Sequence, residues 1–74
     1  MKELVELLNN IKQGIDYEKI QDLVTGGYFE SLDLLTVIAE LEEHYKIEIL
    51  PNEITPTNFD SAGAMLKLIL TKKK

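Results

Sequence analysis

The chain has 74 residues, enough for one domain with a thin hydrophobic core. It carries eight basic residues against 13 acidic ones, a net charge of −5. Because nucleic-acid phosphates call for a basic surface, this balance argues against a nucleic-acid partner. Cysteine is absent, which excludes disulfides and thiolate metal sites.

The first six residues carry acids where a signal peptide would carry a basic and then an apolar stretch. No apolar run approaches the roughly 20 residues that a membrane-spanning helix needs. We therefore expect a cytoplasmic protein without membrane insertion, folded as a single domain over residues 1–74.

Charge is unevenly distributed along the chain. Residues 1–29 have a net charge of −2, and residues 54–74 have a net charge of +3. Residues 30–53 hold seven acids and one lysine, a net charge of −6. Opposite charges attract binding partners, so the middle third predicts a basic partner.

The first predicted helix covers about residues 2–13 and ends near Gly14. Its apolar residues recur at helical spacing: Leu4, Leu7, Leu8 and Ile11. Residues 14–30 predict a long ordered loop with a short helix, and Gly26-Gly27 would end any helix there. Such a long loop in a small domain is uncommon unless it has a function.

The second predicted helix covers about residues 31–46, with Ser31 as its N-cap and Asp33 in its first turn. Its apolar stripe consists of Leu34, Leu35, Val37, Ile38, Leu41 and Tyr45. Residues 47–49 then predict an extended link whose isoleucines fill the core.

A short third helix is expected at about residues 55–59, with Thr55 as its N-cap, Pro56 at its first position and Phe59 pointing inward. Asp60 is the predicted N-cap of a last helix at about residues 61–71. The apolar face of that helix is expected to comprise Ala62, Met65, Leu66, Ile69 and Leu70. The pattern predicts an all-α domain of three principal helices plus one short helix.

Residues for self-contained catalysis are scarce. His44 is the only histidine, and no serine–histidine–acid spacing is evident. Gly26-Gly27 lacks the Gly-Lys-Ser/Thr of a phosphate loop, and the acids do not form a calcium loop. We expect no enzymatic activity and no metal site.

The distinctive segment is Glu30-Ser31-Leu32-Asp33. A long loop delivers a serine to the start of an amphipathic helix, where free N–H groups and the helix dipole favour a phosphate on its oxygen. No base is evident to make the serine a nucleophile. A serine that carries a phosphodiester and a serine that only caps the helix both remain open.

The chain resembles the acyl carrier proteins and other phosphopantetheine-binding carrier domains. The likeness lies in residues 27–35 (Gly-Tyr-Phe-Glu-Ser-Leu-Asp-Leu-Leu), in residues 38–49, and in residues 51–54 and 59–62. It covers essentially the whole chain. It implies a four-helix acyl-carrier-like bundle with a long loop between the first two helices.

This resemblance implies that Ser31 carries 4′-phosphopantetheine, attached from coenzyme A by a separate phosphopantetheinyl transferase. The thiol of the arm would hold acyl or aminoacyl groups as thioesters. The protein, expected to be a monomer, would move them from a loading enzyme, either an adenylation enzyme or an acyltransferase, to a downstream synthase or transferase. The implied partner contacts are Glu30, Leu32, Asp33, Glu40, Glu42 and Glu43.

Two features depart from fatty-acid carriers. Glu30 stands where the family usually has Asp, and Gly27 lies four residues before Ser31 instead of three. This spacing, with residues 55–59, is more similar to D-alanyl and other aminoacyl carriers loaded by a stand-alone adenylation enzyme. Acyl and aminoacyl cargo both remain open. An alternative of another class is an unmodified helical adaptor that binds a basic partner through its acidic second helix.

Overall fold

A computed structural model describes residues 2–73 as a bundle of α-helices without strands in that range. The helices are α1 (Lys2–Ile11), α2 (Ser31–Tyr45), α3 (Pro56–Phe59) and α4 (Ala62–Lys72), with a 3-10 turn at Pro51–Glu53. The predicted all-α class, with three longer helices and a short one, is confirmed. None of these helices is both long and apolar enough to cross a membrane.

A single hydrophobic core lies where α1 packs on α2 and α4, and α3 packs on α4. Every helix contributes to it, and so does the loop that joins α1 to α2. The fully buried side chains with the largest volumes are Phe59, Leu4, Leu8, Leu23, Leu41, Met65, Ile69 and Val37. Burying side chains of this size is the main stabilising term available to so small a domain.

The two sides of α2 differ in exposure. Val37, Ile38 and Leu41 are buried, as their spacing predicts. Leu35 was placed on the apolar stripe but is 61% exposed. Because the helix turns about 100° per residue, Leu35 lies on a different side of the helix from Val37 and Leu41. The prediction for Leu35 is therefore wrong.

The segment between α1 and α2 has no helix, contrary to prediction. It consists of hydrogen-bonded turns, one at residues 17–19 and another at residues 23–27. Gly27 has a φ of 83°, and a Cβ on Gly26 would collide with the carboxylate of Asp22. Both turns are fixed by tertiary contacts: Leu23 is fully buried, and the hydroxyl of buried Tyr17 donates to the carbonyl of Lys12 at 2.5 Å.

The extended link after α2 buries Ile49, as expected, and the 3-10 turn that follows was not predicted. Thr55 caps α3 by accepting a hydrogen bond from the Asn58 N–H at 3.3 Å, and Phe59 is fully buried. Both predictions are confirmed.

The last helix is capped by Ser61, which accepts the Ala64 N–H at 3.0 Å, and Asp60 is not its N-cap. The predicted apolar face of this helix was also partly wrong. Leu68 is buried and Leu70 is 61% exposed, because the buried stripe runs through residues 62, 65, 68 and 69.

Candidate functional site

Ser31 is the first residue of α2, and its side chain is exposed. The N-cap is Glu30, which has extended backbone angles (φ −88°, ψ 175°). The prediction that Ser31 caps the helix is therefore wrong. Within residues 2–73, no side chain caps the first N–H groups of α2, and the Glu30 N–H donates to the carboxylate of Asp33, the third residue of the helix, at 3.0 Å.

Asp33 also binds Lys12, which follows the last turn of α1. The Lys12 ammonium lies 2.9 Å from the Asp33 carboxylate and donates to the Tyr28 carbonyl at 2.7 Å. The Glu30 N–H and then the Lys12 ammonium lower the pKa of Asp33 below its ordinary value. Asp33 is thus ionised at neutral pH and is held by contacts inside the protein.

The residues just before Ser31 are anchored on the core. Phe29 is buried, its ring centroid lies 6.1 Å from that of Tyr17, and its N–H donates to the Leu23 carbonyl at 2.8 Å. Tyr28 itself is partly exposed. The loop therefore reaches Ser31 along a fixed path, with its last apolar anchor two residues upstream.

The earlier part of the loop is held by Asp60, at the junction of α3 and α4. Its carboxylate accepts the N–H groups of Val24 and Thr25, both at 2.9 Å, and the Thr25 hydroxyl at 3.2 Å. The Thr25 N–H is the largest of several contacts that lower the pKa of Asp60. Asp60 thus ties the loop to the C-terminal half of the bundle.

Next to Ser31, α2 presents apolar side chains to solvent. Leu32 is 77% exposed and Leu35 is 61% exposed, and they lie three residues apart on one side of the helix. Ala39 and Glu43 continue that side and are exposed as well. We call these four residues the exposed face of α2. Large apolar side chains left in water beside one another are typical of a surface that binds another molecule.

The residues predicted to contact partners are found in two different settings. Glu30, Leu32, Glu40 and Glu43 are exposed. Asp33 and Glu42 are half-buried and engaged within the protein, since the Glu42 carboxylate accepts the Ile49 N–H at 2.9 Å. Of the predicted acids, Glu30, Glu40 and Glu43 are therefore the ones that present a free surface.

Two adjoining clefts, of about 620 and 570 Å³, lie elsewhere on the molecule. They share Gln21, Ser61 and Gly63, and Ser31 does not line either one. Within residues 2–73, no three histidine or acidic side chains are grouped so that they could hold a metal ion. Ser31 is thus an exposed surface position outside both clefts.

The sequence did not indicate that Lys12, which we expected only to complement the dipole of the first helix, contacts the residues around Ser31. The two partners of Lys12 lie 16 and 21 residues away, so no local spacing indicates that they meet. The only available signal was a lone lysine at the end of an acidic helix, which is equally typical of a residue that complements the helix dipole.

A phosphate-linked group fits at Ser31. The hydrogen bonds of this turn join Glu30 to Asp33 and Thr36 to Leu32, and the Ser31 hydroxyl takes part in neither. Covalent addition to that oxygen would break no contact that holds the turn.

No protein-family model, curated protein or solved structure matched the chain.

Proposed function

We propose that this protein is a carrier whose Ser31 takes a 4′-phosphopantetheine arm and which moves acyl or aminoacyl groups between partner enzymes. One observation supports this most strongly. Ser31 is exposed at the first position of α2 and does not cap the helix, because the N-cap is Glu30, whose N–H donates to the Asp33 carboxylate. A serine freed from capping is available for modification without loss of the helix start.

The transfer would use Ser31 as the acceptor. Its hydroxyl would lose a proton to the transferase or to water and form a P–O bond with the pantetheine-side phosphate of coenzyme A. The pyrophosphate bond would break, and adenosine 3′,5′-bisphosphate would leave. Once attached, the arm supplies a thiol that can hold cargo as a thioester, which a protein without cysteine does not otherwise possess.

The start of α2 is electrostatically suited to that phosphodiester. The first bond of the helix ladder runs from the Leu34 N–H to the Glu30 carbonyl at 2.9 Å. The N–H groups ahead of Leu34 have no carbonyl partner within the helix. Together with the helix dipole they favour negative charge at this end.

The surroundings of Ser31 suit short-lived docking to enzymes. Leu32 and Leu35 supply an apolar contact, and Glu30, Glu40 and Glu43 supply negative charge around it. Complementary charge speeds association more than it tightens binding. A carrier that visits one enzyme after another needs fast arrival and fast release.

The test is intact-mass measurement after incubation with coenzyme A, magnesium and a broad-specificity phosphopantetheinyl transferase. We expect the wild-type chain to gain one phosphopantetheine and Ser31→Ala to gain none. Ser61→Ala is the matched control, because it removes a serine from another helix start and should leave the gain intact. No gain by the wild-type chain with several transferases would favour the unmodified adaptor.

Cargo would be identified on the modified protein. One arm of the experiment offers a stand-alone adenylation enzyme with ATP and D-alanine or other amino acids. The other offers acyl-loading enzymes with acyl donors. A thioester formed only in the first arm would identify an aminoacyl carrier, and one formed only in the second would identify an acyl carrier of the fatty-acid or polyketide type.

A further inference from the structure

Lys12 joins three segments of the chain around Ser31. It follows the last turn of α1, and its ammonium contacts the Tyr28 carbonyl at 2.7 Å and the Asp33 carboxylate at 2.9 Å. The same carboxylate oxygen of Asp33 accepts the Glu30 N–H at 3.0 Å. One cation thus holds both the loop that enters α2 and the first turn of α2.

These contacts bracket Ser31. Tyr28 lies three residues before it and Asp33 lies two residues after it, and both bind the same ammonium. Ser31 is outside this network and stays exposed. The backbone on both sides of the serine is therefore fixed relative to α1, while the hydroxyl is left free.

We propose that Lys12 is the positioning residue for Ser31: it holds the serine in the conformation that a phosphopantetheinyl transferase recognises. This inference rests on the proposed function. Lys12 also acts through charge, because it offsets the negative charge of Asp33 two residues from the oxygen that receives an anionic group. Without Lys12, that oxygen would lie in a more negative first turn, and the turn would sample more conformations.

The effect should be local. The side chains of Lys12 and Asp33 are 37% and 29% exposed, so solvent screens the pair and its contribution to global stability is small. The rate of group transfer is more sensitive than global stability to the position of Ser31, because a small displacement of a reacting atom slows the reaction even when the fold is unchanged. Lys12 should thus influence the modification rate more than the unfolding equilibrium.

The first experiment compares Lys12→Met, Lys12→Arg and Lys19→Met with the wild-type chain. Lys19 is an exposed lysine of the same loop, so its variant controls for net charge. We expect Lys12→Met to lower kcat/KM for modification by about tenfold, Lys12→Arg to recover part of that loss, and Lys19→Met to stay near wild type. Urea unfolding should show Lys12→Met folded, with a midpoint close to wild type.

A double-mutant cycle with Asp33→Asn gives a second, more specific readout. If Lys12 acts through Asp33, the two losses should not add, and the double variant should resemble the more affected single variant. Amide hydrogen exchange at Glu30 should also speed up in Lys12→Met, with no comparable change in the core of α4.

The possible failures are distinguishable. If the wild-type chain is modified and Lys12→Met is modified equally fast, the role of Lys12 is wrong and the carrier function stands. The role is also wrong if Lys19→Met slows modification as much as Lys12→Met does, because net charge alone would then explain the loss. If the wild-type chain is not modified at all, the carrier function and the role of Lys12 both fall.

Discussion

Two helices of this protein begin with an acid, a serine and an apolar residue, yet the two serines have different settings. At the start of α2 the segment is Glu30-Ser31-Leu32, and before α4 it is Asp60-Ser61-Ala62. Ser61 is half-buried and caps its helix through the Ala64 N–H at 3.0 Å. Ser31 is exposed and lies one position further into its helix, outside the capping contacts.

The acids that precede these two serines differ in the same way. Asp60 is tied to Val24 and Thr25 and holds the loop in place, whereas Glu30 is exposed. The difference comes from the residue three positions after the acid. Asp33 can accept the Glu30 N–H, so Glu30 becomes the cap position and Ser31 moves into the helix. Gly63 has no side chain to do the same for Asp60.

This comparison shows why the acid-serine pair alone does not identify a modified serine. The carrier family usually has Asp before its serine, so Asp60-Ser61 matches that pair better than Glu30-Ser31 does. Ser31 is nevertheless the better candidate for modification, because it is exposed and makes no capping hydrogen bond, whereas Ser61 is half-buried and caps α4. Substitutions at the two helix starts should therefore differ in their effect on stability.

Acid should weaken the fold, because it protonates carboxylates that accept hydrogen bonds or form ion pairs in the folded protein. Hydrogen bonds and ion pairs lower the pKa values of Asp33, Glu53 and Asp60 in the folded state. Their stabilisation is therefore fully present above the ordinary carboxyl range and is lost as pH falls below about 4, through the lower folded values. Urea unfolding at pH 7, 5, 4 and 3 should show a plateau followed by a fall. A midpoint that rises steadily towards pH 3 would contradict this.

Removing the Asp60 carboxylate should be the most damaging single change at either helix start. Asp60→Ala leaves the N–H groups of Val24 and Thr25 without their partner, although the bond from the Leu23 N–H to the Asp60 carbonyl at 2.8 Å remains. We expect its urea midpoint at pH 7 to fall further than that of Ser61→Ala, and its acid dependence to be shallower than wild type. Glu30→Ala, the matched change at the other helix start, should leave the midpoint nearly unchanged.

Removing the Ser61 hydroxyl should have an intermediate effect. Ser61→Ala deletes a helix cap and should cost about 1 kcal/mol of unfolding free energy, within the usual range for lost N-caps. Chemical denaturation at pH 7 measures it. Ser61→Asp, which keeps an acceptor at the cap, should recover most of the loss. Equal losses in both variants would show that the hydroxyl does not act as a cap.

Removing the Ser31 hydroxyl should have the smallest effect on stability. Ser31→Ala removes an exposed group outside the capping contacts, so the change should stay within about 0.5 kcal/mol. The same denaturation measurement compares it directly with Ser61→Ala. A loss from Ser31→Ala as large as that from Ser61→Ala would mean that Ser31 caps α2 after all.

The sequence predicted the helices well because their apolar residues repeat at helical spacing. The order of α1, α2, α3 and α4 is as expected, and so are the Thr55 cap and the burial of Phe59. These features depend on neighbours within a few residues. The errors at Leu35, Leu68 and Leu70 arose because several apolar residues in one helix allow more than one stripe.

The site was predicted only in part because its geometry depends on distant contacts. The sequence singled out Ser31, and the structure places it exposed at the start of α2. The shift of the cap to Glu30, the Lys12 contacts and the role of Asp60 all involve competing acceptors or partners far along the chain. Spacing rules do not decide which acceptor prevails.

The most direct measurement locates the modification in the wild-type chain. After incubation with coenzyme A, magnesium and a phosphopantetheinyl transferase, the protein is digested and its peptides are sequenced by tandem mass spectrometry. We expect phosphopantetheine on the peptide that contains Ser31 and none on the peptide that contains Ser61. Modification at Ser61, or at neither serine, would contradict the proposal that the exposed Ser31 hydroxyl, which takes no part in capping α2, is the attachment site.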